Sequence, residues 1–403
     1  MKDSSLDFSE YIRQEEPTKR EAAYAWSTAI GLQAVDGLKT SDYLNDLARR
    51  NIEGEITIDE VDRLLKSYYE SKTVRDADDD DKEEADKASK NIKRILSSDT
   101  LNFTTNGLVS LHRRIFEDVF KHAGELRHYD ITKKEWVLEG DTVRYLNWED
   151  LRGALDYDIE QERNFVYKGK SQDETVAHIT RFVSGIWQIH AFPEGNTRTT
   201  AVFTILYLRS LGFDVENDLF ASHSWYFRNA LVRANYRNVA KGIDYTPVYL
   251  ERFFRNLLLG EQWDLRNRYL HIHPTQEWSV QPNLAPPTST PTSTPTSTPT
   301  STPTSTPTSS LINNLNPNSK FYTSNDLIIE LILAIGDEEL GIKQIMENKG
   351  LKDRKNFIDY HLEPAMKEKF VRRKYPDRPN HPRQKYLLTV KGVALYNELT
   401  KGE

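Results

Sequence analysis

The sequence predicts a mainly α-helical protein of several units, and three observations carry that expectation. Apolar residues recur at helical spacing through most of the chain, strand signals are short and few, and a four-residue Pro-Thr-Ser-Thr repeat runs from Pro287 to Pro307. The repeat has no apolar face to bury, so it reads as an extended spacer between folded units. At 403 residues the chain exceeds one typical domain, and its 37% apolar content is enough for cores. A net charge of -7 argues against global affinity for nucleic acid. The chain has no cysteine, which excludes disulfides and thiolate–metal sites and fits a reducing cytoplasm. Met1 to Glu16 is polar and acidic and no long apolar run follows, so neither a signal peptide nor a membrane span is expected, and a cytoplasmic location is the default.

The elements follow in order. Residues 1–75 read as a small helical unit in which one helix ends at Gly37, a second starts near Ser41 and a third covers Thr57 to Tyr69. An acidic run within 76–90 reads as a solvated linker. Residues 91–270 form the expected core. It contains a helix over Leu111–Phe120, a turn at Ala123–Arg127 and a hairpin in which Glu135–Leu138 and Thr142–Tyr145 flank Glu139-Gly140-Asp141. A buried helix over Thr199–Leu211 follows. A Pro/Thr/Ser-rich linker occupies 271–319. In 320–403, helices at Asp326–Ile335, from Ile342 and at Asp353–Lys367 precede strands at Phe370–Tyr375 and Lys385–Thr389, the order of a winged helix. Lys352, Arg354 and Lys355 with Arg372, Arg373, Arg378, Arg383 and Lys385 give that unit a basic character suited to DNA phosphates, although the same fold also serves for docking proteins.

The chemistry concentrates in nine consecutive residues, His190-Ala191-Phe192-Pro193-Glu194-Gly195-Asn196-Thr197-Arg198. Gly195 permits a turn that a side chain would obstruct, and Asn196 and Thr197 are good caps for the helix that follows. Backbone N–H groups of Gly195, Asn196 and Thr197 then face outward from a positive helix end and can hold a diphosphate. Arg198 adds a planar cationic donor. Glu194 beside that anion site is suited to Mg²⁺, which keeps much of its water and borrows phosphate oxygens. His190 titrates near neutrality and can take a proton from an incoming hydroxyl.

This stretch resembles the Fic-domain motif, His-x-Phe-x-Asp/Glu-Gly-Asn-Gly-Arg-x-x-Arg. The resemblance implies a Fic-type helical core with a β-hairpin flap, and transfer of AMP from ATP to a Ser, Thr or Tyr hydroxyl of a target protein, with possible self-modification. It also implies roles: His190 the base, Glu194 the Mg²⁺ ligand, Gly195, Asn196 and Thr197 the anion hole, Phe192 a buried anchor and Arg198 a phosphate contact. In the family the flap pairs with the target segment by strand addition. The sequence departs from the motif at Thr197, where Gly is usual, and at Ala201, where a second Arg is usual. Members of the Doc branch carry Lys at the position of Thr197 and phosphorylate their targets, so a Doc-like kinase or other nucleotide transferase is the alternative within the enzyme class. A decayed core serving as a DNA-binding or interaction protein is the alternative outside it. The second Arg normally grips the γ-phosphate, which leaves Arg228 or Arg233 as candidate substitutes.

The N-terminal unit resembles the antitoxin-like domains that inhibit Fic proteins through Ser/Thr-x-x-x-Glu-Gly, with Leu32 and Asp36-Gly37 at the aligned positions. The resemblance gives Asp36 an inhibitory role. The family's inhibitory glutamate pairs with the second motif Arg, however, and here Ala201 replaces that partner.

Overall fold

The computed structural model describes residues 8–13, 16–72, 74, 78–97, 101–215, 219–273 and 316–401, and the Pro-Thr-Ser-Thr repeat lies outside them. In the N-terminal unit, α1 (Ser9–Arg13) and α2 (Pro17–Gly31) lead into a 3-10 turn at Leu32–Asp36, which Gly37 ends in the left-handed region at φ +77. The side chain of Ser41 accepts from Leu44 N–H and starts α3 (Asp42–Glu53), while a capping box of Thr57 and Glu60 starts α4 (Ile58–Ser71). Helix α2 has two apolar faces. Ala23 and Trp26 pack with Leu44, Leu47 and Leu65 in a small local core, whereas Ala25, Ala29 and Leu32 belong to the main core. The Leu32–Asp36 turn is thereby anchored on the main core.

Much of the stretch read as an acidic linker over 76–90 is instead the start of a helix, α5 (Asp79–Leu96). The reason lies on the other face of the same residues. Ala85, Ala88, Ile92 and Ile95 are buried, at the spacing of one helical stripe. Two of the acids are also buried and matched: Asp79 pairs with Lys72 at 2.6 Å, and Asp86 accepts from the N–H and hydroxyl of Ser41 and from the Tyr69 hydroxyl. Burial nevertheless pushes the Asp86 carboxyl up to about 6.

The core continues with α6 (Thr105–Ile115), α7 (Leu151–Arg163), α8 (Gln172–Ile189), α9 (Asn196–Ser210), α10 (Leu219–Ser222), α11 (Ser224–Asn235) and α12 (Val248–Leu259). Helix α9 is buried at every residue from Asn196 to Leu208 and packs against α6 and α8, which makes it the central rod. Between α6 and α7 the chain doubles back where the hairpin is expected: Glu135 N–H donates to Asp141 O and Gly140 N–H to Glu135 O. No strand ladder forms there. Trp136–Leu138 is a 3-10 turn with Val137 and Leu138 both buried, and consecutive buried residues do not fit the alternating faces of a strand. The Val137 carbonyl also accepts from Ile272 N–H at 3.0 Å, so one backbone edge of the segment is already engaged.

The C-terminal unit has α13 (Asp326–Ile335), α14 (Ile342–Asn348) and α15 (Arg354–Phe357, continued through a wider turn at Ile358–Leu362 into Glu363–Lys367). An antiparallel pair, β1 (Val371–Arg373) and β2 (Tyr386–Leu388), and a closing helix α16 (Val390–Thr400) follow. Its own core includes Ile328, Ile332, Phe357, Phe370 and Leu388. It docks on the main core through Asn397, which donates to the carbonyls of Tyr167 and Lys170, and through Lys391 N–H to Leu211 O. The Asn397 contacts lie just before the N-terminus of α8, an 18-residue helix about 27 Å long with His190 at its other end. Among the described residues no helix is long and apolar enough to cross a membrane.

Candidate active site

His190 directly follows α8 and takes a left-handed conformation at φ +51, uncommon for a residue with a side chain. Arg127 holds it there. Its buried guanidinium donates from Nε to His190 O at 2.7 Å and reaches the carbonyls of Tyr129 and Leu146, while its backbone N–H donates to Ala191 O at 2.9 Å. The imidazole is enclosed, with only 3% of the residue exposed, by the Tyr145 ring at 4.0 Å and the edge of Trp187 at 5.3 Å between centroids. Its Nδ1 faces Trp187 O at 3.4 Å, and Nε2 is buried with no hydrogen-bond partner. Burial, reinforced by the charges of Lys133, Arg127 and Arg228, holds this imidazole well below the usual histidine range. It is therefore neutral at physiological pH, and Nδ1–H directed at the carbonyl leaves the lone pair on Nε2.

The loop after His190 is shaped from beneath by α6. Phe192 stacks on the His112 ring at 3.9 Å, Gly124 N–H donates to His112 Nδ1, and Nε2 then donates to Glu194 O at 3.1 Å. Burial pushes His112 down to about 4, which preserves that neutral tautomer. Gly195 sits at φ +72 with the Phe116 ring only 2.3 Å from where a Cβ would be, so both conformation and space demand glycine. The Asn196 side chain does not cap α9: it closes the loop by accepting from Phe192 N–H at 2.9 Å and donating to Phe192 O at 2.6 Å, and Gly195 takes the cap position. The loop residue thus uses both its amide groups backwards, because the glycine turn brings Phe192 within reach. Thr197, in place of the motif glycine, accepts from the indole N–H of Trp187 at 3.0 Å and so braces the wall of the His190 cavity.

At the far end of the loop Arg198 is 2% exposed, and both its Nη atoms are engaged. It donates to Gln33 Oε1 at 3.0 Å and Glu84 Oε1 at 2.6 Å and lies over the Phe116 ring at 4.8 Å. Asp36 Oδ2 is 2.8 Å from Nε, an ion pair in which the N–H is not aligned on the oxygen. Asp36 thus meets a motif arginine, but the first one. Ala201, about one turn further along α9, is completely buried and carries no charge.

Glu194 is half exposed and its carboxylate lies 3.2 Å from Lys133 Nζ. Among the described residues no group of three His, Asp or Glu side chains could hold a metal on its own. A single accessible carboxylate beside a helix N-terminus fits Mg²⁺ that shares a phosphate-bearing ligand and keeps its waters.

All the residues singled out in the loop are brought together, and Asp36 joins them from the N-terminal unit. Gln33, Glu84, His112, Arg127, Lys133 and Tyr145 join the site without having been assigned a role from sequence. Glu84 was legible in principle, since Ala85, Ala88, Ile92 and Ile95 form an apolar stripe that argues for a helix through the acidic run. Arg233 is committed elsewhere, to Leu270 O and Thr246.

Parts of the chain are similar to known proteins. Residues 102–208 match the Fic/DOC family, and residues 326–389 match the C-terminal domain of Fic-like proteins (filamentation induced by cAMP). Over 189 residues, 43% of this chain, it is 23% identical to the protein adenylyltransferase VbhT of Bartonella schoenbuchensis, and the match covers 38% of that protein. A crystal structure of a Fic family protein from Desulfovibrio desulfuricans G20 aligns over 92% of this chain and 87% of that one, at 16% identity and a TM-score of 0.39.

Proposed function

We propose that this chain, whose residues 102–208 match the Fic/DOC family, transfers AMP from ATP to a Ser, Thr or Tyr hydroxyl of a target protein. The observation that carries the reading is the neutral, buried imidazole of His190, whose Nε2 has no partner, at one end of a loop that ends in a helix N-terminus and Arg198. A base must be unprotonated and free to accept, and this nitrogen is both.

In the proposed reaction Nε2 of His190 takes the proton of the target hydroxyl as its oxygen attacks the α-phosphorus, and pyrophosphate leaves. Backbone N–H groups at Gly195, Asn196 and Thr197 and the Arg198 guanidinium hold the phosphates. Glu194 is the protein ligand for Mg²⁺, which would neutralise phosphate charge when bound. Lys133 must release Glu194 for this, and Tyr145 must move for a hydroxyl to reach His190. Asp36 is the inhibitory residue, acting on Arg198. Thr197 carries no charge that would turn the nucleotide round, which favours AMP transfer over a Doc-like phosphorylation. Nothing in the comparisons supports DNA docking by the C-terminal unit.

The test is intact-mass analysis after incubation with ATP and Mg²⁺, with and without a cell extract as a source of targets, for the parent protein, the Asp36→Ala/Glu84→Ala variant and the same variant carrying His190→Ala. An adduct of one AMP, on the protein or on a target, that needs His190 is expected. An added phosphate instead would establish the kinase route. An adduct that persists without His190 would remove the mechanism.

A further inference from the structure

A cavity of about 360 Å³ opens where the N-terminal unit, the core and the C-terminal unit meet, walled by α2, α5, the end of α9 and Lys369 before β1. Its volume lies at the lower end of what small-molecule sites take. Lys93 on α5 lines it. The residue is 9% exposed, and among the described residues its ammonium has no hydrogen-bond or ion-pair partner. Other cations of the same helix are paired: Lys87 with Glu83, Lys90 with Asp62 and Arg94 with Asp59. Burial, with the charge of Arg94 added, pulls the Lys93 ammonium below the ordinary lysine range. A buried cation costs stability unless an anion offsets it, and the chain itself supplies none here.

Arg209 lines the same cavity and donates to Leu96 O at 2.7 Å and Val215 O at 3.4 Å, which fixes the plane of its guanidinium. Lys369 is the third cation, already paired with Asp214 at 2.9 Å, and Glu21 on the exposed rim is the other acid among the described lining residues. Ala22, Leu96 and Val215 give part of the wall an apolar character. From this arrangement we infer that the cavity binds a small phosphate monoester, its phosphate held by Lys93 and Arg209 and its carbon skeleton lying on Ala22, Leu96 and Val215. At neutral pH such a phosphate carries a charge of about −1.5 to −2, more than a carboxylate, and its three oxygens can serve both cations. The site is separate from the His190–Arg198 loop. Arg209 lies eleven residues beyond Arg198 along α9, roughly 16 Å away, and Lys93 nine beyond Glu84 along α5, roughly 14 Å.

The experiment is equilibrium dialysis of the full chain against inorganic phosphate and glycerol phosphate at low ionic strength, for the parent, Lys93→Met and Lys93→Arg. Methionine keeps the apolar stem and removes the charge, so Lys93→Met is expected to weaken both probes roughly tenfold or more, while Lys93→Arg stays within a factor of about three. In chloride buffer the melting temperature of Lys93→Met should equal or exceed that of the parent, because an uncompensated buried cation has gone. Phosphate held at the nine-residue loop is common to all three proteins and cancels in the comparison. Equal phosphate binding by the parent and Lys93→Met, or no saturable binding by the parent, overturns the inference. Displacement of glycerol phosphate by succinate at equal concentration overturns the choice of a phosphate. Should Lys93→Met fail to fold, Lys93→Gln keeps a polar end and the same affinity ratio is read on it.

Discussion

The two ends of the His190–Arg198 loop are both buried and yet electrostatically opposite. At the His190 end a neutral imidazole, hemmed in by Tyr145 and Trp187 and surrounded at longer range by cations, keeps one nitrogen without a partner. At the Arg198 end a permanent cation is met by two carboxylates and an amide from outside the loop, Asp36, Glu84 and Gln33. On the proposed reading, the imidazole is in the state a base needs while the phosphate contact is occupied. Restraint by Asp36 and Glu84 would then act at the Arg198 end, on nucleotide binding, and leave the protonation of His190 untouched.

The comparison is tested most severely at the base. Replacing His190 by Ala is expected to lower transfer by about a hundredfold to ten-thousandfold, the usual share of a general base, with an unchanged melting temperature within a few degrees. Full activity in that variant would make the unpartnered nitrogen irrelevant. At the other end, Asp36→Ala alone is expected to raise the transfer rate only modestly, because Glu84 and Gln33 still hold Arg198. Removing Asp36 and Glu84 together should raise it roughly fivefold to a hundredfold, the range of a typical coupling between sites. If the single and double variants were equally active, the clamp would reduce to Asp36 and the role given to α5 would fall.

The middle of the loop sharpens the contrast through pH. His112 is held down to about 4 by burial, so in the window between that value and the ordinary histidine range the unfolded chain takes a proton that the folded chain refuses. Stability from this group is present above the unfolded value and is lost as pH falls. Relative to His112→Gln, the parent should lose about 2 kcal/mol between pH 7 and pH 5 in denaturant titrations. Asp86 shifts the opposite way, being raised to about 6, but it is common to both proteins and cancels in the difference. A parallel pH dependence in the two proteins would mean that His112 is not buried as described. The smallest effect expected is at Thr197. Thr197→Val keeps the shape, strands the Trp187 indole N–H and should cost about 1 kcal/mol of stability. Thr197→Gly, which restores the motif residue, should cost at least as much.

Much of this site could be read from the chain as written. The glycine turn, the base, the accessible carboxylate and the arginine are neighbours in sequence, and the turn before a buried helix dictates their arrangement in space. The caps at Ser41 and Thr57 and the wing strands were equally local signals and appear close to where the sequence put them. The acidic run was harder, because charge count and apolar stripe point different ways in Asp79–Leu96 and only burial of the stripe decides between them. The hairpin was misleading for the converse reason. Two short stretches flanking Glu139-Gly140-Asp141 favoured strands, but Val137 and Leu138 both face the core, and a 3-10 turn allows that.

The residue set of the nine-residue loop and the order of the helices around it were legible in the chain, since both follow from short-range geometry. The tertiary structure alone decided which charges meet. Arg198 is 162 residues from Asp36 and 114 from Glu84 along the chain, and no periodicity relates them. Their meeting depends on α2 and α5 sharing the main core, because apolar packing chooses which faces touch and the buried charges must then find partners within the few ångströms that packing leaves.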